Sequence, residues 1–185
     1  MAAKHVLKYL KGTIDYGLGY AGDCNFGLVG YTDSDWASSV PDRKSTSRCC
    51  FSLGSAMIGW CSRKQTSVAF STTEAEYIVA CAASSEAVWL HKMLSGLCDL
   101  QLEATCIYCD NQSCIKLSEN LVFHDKSKHI EIKYQYIRDM VEKGAVELLY
   151  TAMEEQIADV LTKPLSGVKL EYFRDKLGVV PHKRE

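Results

Sequence analysis

The 185-residue chain is 47 % hydrophobic and 24 % charged, proportions that suit one globular domain with a real apolar core. A formal net charge of −2 argues against a protein that works by indiscriminate attraction to phosphates, although a basic face and an acidic cluster can cancel in the sum. No apolar run approaches the roughly 18 residues of a membrane span. The N-terminal dozen residues also show no apolar stretch before a small-residue cleavage site. With nine cysteines, an odd number that includes the adjacent pair Cys49 and Cys50, the expectation is reduced thiols in an intracellular protein.

Residues 2–11 read as a short basic helix stopped by Gly12. A Gly- and Tyr-rich stretch, 16–20, follows. The β-prone run 27–32 ends at Asp33. A polar turn over 38–44 contains Pro41 and Asp42, and two β-like runs, 48–53 and 56–61, flank Gly54 and Ser55 as a hairpin. At Ser71 the period becomes helical. Ser71-Thr72-Thr73-Glu74 fits a capping box, and Val79, Ala83, Ala87, Leu90, Leu94 and Leu97 form one stripe at spacings of three or four. Next come a strand over 105–110, a short helix over 112–118 and an amphipathic helix over 130–143 that closes at Gly144. Val146, Leu148 and Tyr150 alternate as a strand. A last helix is expected from Thr151, where Thr151-Ala152-Met153-Glu154 offers a second capping box, to Pro164. The order β β β α β α α β α describes a mixed sheet with helices packed on it.

Carboxylates stand where these elements end. Asp33 closes the first strand in phase with Val29 and Tyr31, and Asp110 closes the fourth in phase with Cys106 and Tyr108. If those strands are neighbours, the two acids sit side by side, and a Mg²⁺ ion between them relieves the repulsion. Glu74 and Glu76 compete as a third ligand. Glu74 occupies the capping-box position, where its natural partner is the backbone at Ser71. Glu76 lies three residues before Val79 and continues the buried stripe, which makes it the better ligand. Asp159 lies off the face formed by Ile157, Val160 and Leu161 and can point into a cleft. The bland alternative is a surface acid paired with Lys163. Taken alone, this constellation suggests only a divalent-metal site. Cys106 and Cys109 form a CxxC, but on a strand they face opposite sides and do not share a zinc ion.

The motifs are more specific than the acids. Tyr31-Thr32-Asp33-Ser34-Asp35-Trp36, Asp42-Arg43-Lys44-Ser45-Thr46-Ser47 and Ser71-Thr72-Thr73-Glu74-Ala75-Glu76-Tyr77 closely resemble the ribonuclease H region of copia-type LTR retrotransposon Pol polyproteins. So do Tyr108-Cys109-Asp110-Asn111-Gln112-Ser113, Lys128-His129-Ile130-Glu131-Ile132 and Gln156-Ile157-Ala158-Asp159-Val160-Leu161-Thr162-Lys163-Pro164. These blocks follow the family's order over 28–164. The resemblance implies an α/β, ribonuclease H-like fold with a central mixed five-stranded sheet flanked by helices. It implies that 22–165 form the ribonuclease H domain, that 1–21 correspond to the end of an upstream reverse transcriptase, and that 166–185 form a helical tail. It implies two Mg²⁺ ions, with Mn²⁺ as a substitute, held by Asp33, Glu76, Asp110 and Asp159. The implied activity is cleavage of the RNA strand of an RNA–DNA hybrid during reverse transcription, with the upstream reverse transcriptase as partner, in cytoplasmic particles.

By the same resemblance, Ser34, Thr72, Thr73, Asn111 and Gln112 lie beside the ligands and touch the minor groove, where 2′-hydroxyls mark the RNA. Helix capping by Thr72, Thr73 and Asn111 is the competing role. Arg43, Lys44, Arg63 and Lys64 are candidates to hold phosphates and equally candidates for solvated surface charges. Two features depart from the pattern. Arg48 stands where the family usually has Gly, in a strand flanking the active-site edge. The loop before Asp159 also lacks the His that cellular ribonucleases H carry there; neither His129 as its substitute nor a His124–His129 metal pair is favoured. The alternative to an active nuclease is a folded, catalytically inactive relic that acts at most as a nucleic-acid-binding or structural module.

Overall fold

The computed structural model describes residues 2–22, 27–99, 101–119, 128–161 and 165–182, with the side chains of 128–131 and 134 set aside. Its elements are α1 (Ala2–Thr13), β1 (Tyr16–Leu18), β2 (Leu28–Asp35), β3 (Thr46–Leu53), β4 (Ala56–Lys64), α2 (Thr72–Cys98), β5 (Thr105–Cys109), α3 (Gln112–Glu119), α4 (Lys128–Glu142) and β6 (Val146–Tyr150). Two short 3-10 turns, Met153–Glu155 and Ile157–Leu161, precede α5 (Gly167–Lys176) and β7 (Val179–Pro181). The expected mixed five-stranded sheet is present, in the order β4-β3-β2-β5-β6. The pairs β2–β3 and β3–β4 are antiparallel, and β2–β5 and β5–β6 are parallel. A tight turn suffices between β3 and β4, where Gly54 takes φ 61°. The parallel pairs need crossovers, which α2 and then α3 with α4 supply.

Alternation on the strands separates two apolar layers. Leu28 and Gly30 of β2 and Ile107 and Cys109 of β5 face α2, where Ala80, Ala83, Ala87 and Leu90 are buried. The run of alanines lets the 27-residue helix lie close on the sheet. Gly30 serves the same packing, because a Cβ there would sit 2.8 Å from the Phe51 ring and 3.3 Å from Ile107. On the other face Cys50 and Met57 pack with Ile157, Phe173 and Leu177. Cys49 and Cys50, one peptide bond apart, thus belong to different layers. Burying a side chain such as Phe173 or Ile107 contributes roughly 1.5–3 kcal/mol.

Several expectations need correction. Helix α1 runs through Gly12 to Thr13, whose hydroxyl donates to the Tyr9 carbonyl at 3.0 Å and closes the last turn. Leu97 is 78 % exposed, so the buried stripe of α2 ends at Leu94. No α-helix starts at Thr151, whose N–H instead donates to the Cys109 carbonyl of β5. Ala152 caps the first 3-10 turn without a side-chain bond, and the chain is extended at Gln156, whose amide donates to the Thr32 carbonyl at 2.8 Å. A cross-chain bond of this kind outweighs a local capping pattern.

The stretches 1–21 and 166–185 meet. Strand β1 pairs antiparallel with β7, and the Arg174 guanidinium lies over the Tyr16 ring. Gly178 makes this docking possible, since its φ is +73° and an added Cβ would sit 2.5 Å from the Ser55 carbonyl oxygen. Gly178→Ala should therefore destabilise the fold by roughly 1–3 kcal/mol, seen as an earlier urea midpoint with unchanged slope.

Candidate metal centre

The sheet brings the strand-end acids into register. Strands β2 and β5 are neighbours, pairing Val29 with Cys106, Tyr31 with Tyr108 and Thr32 with Cys109, so Asp33 and Asp110 follow on the next step. Tyr31 and Tyr108 stack with ring centroids 5.2 Å apart, which fixes the face shared by these odd and even positions. Helix α2 begins beside this edge. Ser71 is its N-cap and accepts from the Glu74 N–H at 3.1 Å. The Glu74 carboxylate accepts from the Phe70 N–H at 3.0 Å, one residue upstream of the expected partner.

Glu76, half a turn further along, points at β2. Its Oε1 accepts from the Ser34 N–H at 2.8 Å and from the Ser34 hydroxyl at 2.6 Å. Its second oxygen lies 3.9 Å from the Cys109 thiol. Ligand atoms of Glu76, Cys109 and Asp110 all lie within 4.8 Å of one another. Glu76 is 5 % exposed. Burial pushes its pKa up to about 9; the neighbouring Cys109, Asp110 and Asp33 add to the rise, and the Ser34 hydrogen bond opposes it. The Cys114 thiol donates to Cys109 and lowers the Cys109 pKa while its own rises.

Asp33 is buried and is engaged differently. Its Oδ2 accepts from the Arg48 guanidinium across the β2–β3 pair, where the two residues are direct register partners. Arg48 also reaches Asp35 Oδ2 at 3.1 Å. Asp159 sits in the second 3-10 turn, which packs on β2 and β3, and is 4 % exposed. That burial removes the surface-acid reading; Lys163 lies outside the described residues. Among the described residues, the compact cluster comprises Glu76, Cys109 and Asp110, with Asp33 and Asp159 outside it.

The other sequence candidates separate by exposure. The Asn111 side-chain oxygen Oδ1 accepts from the Cys114 N–H at 3.0 Å and so caps α3. Gln112 and Thr72 are exposed at helix starts, and Thr73 is half-buried. Lys64 pairs with Asp42 at 2.9 Å, Arg43 and Arg63 are exposed, and Lys44 is half-buried. His124 and the side chain of His129 lie outside the described residues. Of the CxxC pair, Cys109 is buried against Glu76 while Cys106 lies on the opposite face beside Glu147. Sequence reasoning missed the support Ser34 gives to Glu76 and the partners of Arg48.

No family model matches the chain. It is 40 % identical over 179 residues to a retrovirus-related Pol polyprotein from the transposon RE2 of Arabidopsis thaliana, which covers 97 % of this chain. Along nearly its whole length the chain is thus similar to retrovirus-related Pol polyproteins from transposons. It spans 12 % of the length of that polyprotein. Its fold is ribonuclease H-like. The N-terminal RNase H domain of a Mycobacterium tuberculosis protein, solved as a fusion with maltose binding protein, superposes with a TM-score of 0.52 at 11 % identity, over 80 % of this chain and 96 % of that one. A foamy viral protease–reverse transcriptase in complex with an RNA/DNA hybrid superposes with a TM-score of 0.50 at 15 % identity, over 72 % of this chain and 19 % of that chain. Among the described residues, no helix is long and apolar enough to cross a membrane.

The environment of Glu76 makes stability depend on pH. Folded, Glu76 keeps its proton up to about pH 9, whereas its ordinary value is 4.5. The folded state therefore binds more protons across that window, and stability falls as pH rises through it. In chelator, urea midpoints should drop between pH 5 and pH 9, and Glu76→Gln should flatten the drop; equal slopes in both proteins would contradict this account.

Proposed function

We propose that this Pol segment is a metal-dependent ribonuclease H that hydrolyses the RNA strand of RNA–DNA hybrids during reverse transcription of a transposon. The observation that carries the reading is the convergence of Glu76 and Asp110 at the β2–β5 edge of a ribonuclease H-like sheet. The donor set fits a hard divalent cation, because two carboxylates supply oxygen while the Cys109 thiol is a softer neighbour. Glu76 and Asp110 would hold it, with Asp33 and Asp159 completing the set for two Mg²⁺ ions or Mn²⁺ in their place. Bound there, the ions would lower the pKa of an attacking water and neutralise charge on the leaving oxygen.

The chain's own groups do the positioning. Ser34 fixes the Glu76 carboxylate through two donors. The Asn111 cap sets the start of α3 and leaves Gln112 exposed beside Asp110, where an RNA 2′-hydroxyl can be read. Thr72 and Thr73 open α2 in the turn that leads to Glu76, and would line the groove. The upstream reverse transcriptase of the polyprotein would supply further grip on the hybrid. The alternative, an inactive relic, draws support from the Arg48–Asp33 pair, which engages one of the four acids.

Purified protein incubated with labelled hybrid in Mg²⁺ or Mn²⁺ should cut only the RNA strand. Asp110→Asn should lower the rate by roughly 100-fold or more, as expected for several kcal/mol of lost metal assistance. Equal inertness of both proteins, with and without the polymerase fragment, would leave the relic reading. Ser34→Ala should weaken Mn²⁺ binding by about 10-fold, the usual cost of losing a group that orients a ligand, as read by calorimetry.

A further inference from the structure

Arg48 heads the fully buried side chains by volume, at 1 % exposure. Arginine is almost never fully buried unless paired. Both of its partners are acids of β2, Asp33 and Asp35. They lie two residues apart on an extended strand, hence on one face, and the planar guanidinium fork spans them. Asp33 is itself 3 % exposed, while Asp35 reaches solvent. The Arg48 Nε is buried and finds no hydrogen-bond partner among the described residues. The guanidinium is therefore held by the two carboxylates and not by a complete set of acceptors; its charge accounts for its place.

We propose that Arg48 is a resident cation that takes the position of a divalent metal on the Asp33 side of the centre, leaving only the Glu76–Asp110 side open to metal. The proposal rests on reading this edge as a metal centre. A guanidinium keeps its charge at any relevant pH. A dication approaching Asp33 would meet that like charge at contact distance, in a buried setting where Coulomb forces are weakly screened. Pushing Arg48 aside would in turn leave a buried charge without its acid. Metal is thus held from one side in the resting protein, and the two-ion arrangement proposed for hydrolysis would form in the wild type once Arg48 swings off Asp33 as the hybrid binds. The site is self-restrained by one side chain of the strand beside it.

The test is Mn²⁺ affinity, measured by calorimetry and by electron paramagnetic resonance of free Mn²⁺ on the whole chain, with folding followed by circular dichroism. In the wild type, Asp33→Asn should change affinity by no more than about twofold, the scatter expected for an uncoupled site. Arg48→Gln should tighten binding by roughly tenfold or more, about 1.4 kcal/mol per decade. Adding Asp33→Asn to Arg48→Gln should remove that gain. Arg48→Lys, which keeps the charge, should bind like the wild type. If Asp33→Asn alone weakens wild-type binding tenfold, Asp33 already serves the metal and the proposal is overturned. It is equally overturned if folded Arg48→Gln binds no more tightly than wild type. Should Arg48→Gln not fold, the Asp33→Asn comparison in the wild type still decides. Hybrid cleavage read in parallel separates the two ideas. Tight Mn²⁺ binding by an Arg48→Gln protein that leaves the hybrid uncut upholds the role of Arg48 and removes the nuclease reading.

Discussion

The parallel pairing of β2 with β5 is the constraint on which the rest of the molecule depends. Parallel neighbours cannot be joined by a tight turn, so the chain must leave β2, build the β3–β4 hairpin, and return across one face through the long helix α2. That return lays the first turns of α2 against the C-terminal end of β2, where Ser34 meets Glu76. The same pairing, in a register set by Tyr31 against Tyr108, puts Asp33 and Asp110 on adjacent strand ends. Apolar burial supplies the energy for this arrangement, but register decides which polar groups meet at its edge.

Charge at that edge is managed in two ways. On the α2 side the negative groups crowd together, and Glu76 answers by retaining its proton to an unusually high pH. On the opposite side the answer is a buried ion pair, with Arg48 set between Asp33 and Asp35. Buried pairs of this kind seldom add much net stability, because both partners give up their hydration. Their main effect is to fix where a charge stands. The two sides of one sheet edge thus differ in how readily they would accept a cation.

Much of this was legible in the sequence where the signal was local. The capping box at Ser71 and the stripe from Val79 to Leu94 separated Glu74 from Glu76, and the structure keeps Glu74 at the cap and turns Glu76 inward. The phase of Asp33 with Tyr31, and of Asp110 with Tyr108, was readable because strand alternation is a local property. What stayed hidden depended on partners far along the chain. The Arg48–Asp33 contact needs the β2–β3 register, which follows from how residues 36–45 fold back and not from any pattern within them. The second capping box misled because Gln156 gives its amide to Thr32, 124 residues away. The β1–β7 ribbon pairs strands of three residues each, too short to show a period.

The adjacent thiols of Cys49 and Cys50 have a practical meaning of their own. Burial pushes both pKa values to about 12, so neither presents a reactive thiolate at neutral pH while its surroundings stay closed. One faces the layer under α2 and the other the layer under α5. Each would become alkylatable only when its own layer opens. A single peptide bond therefore carries two independent gauges, and the order in which they label distinguishes a sheet that loses both coverings at once from one that sheds them in turn.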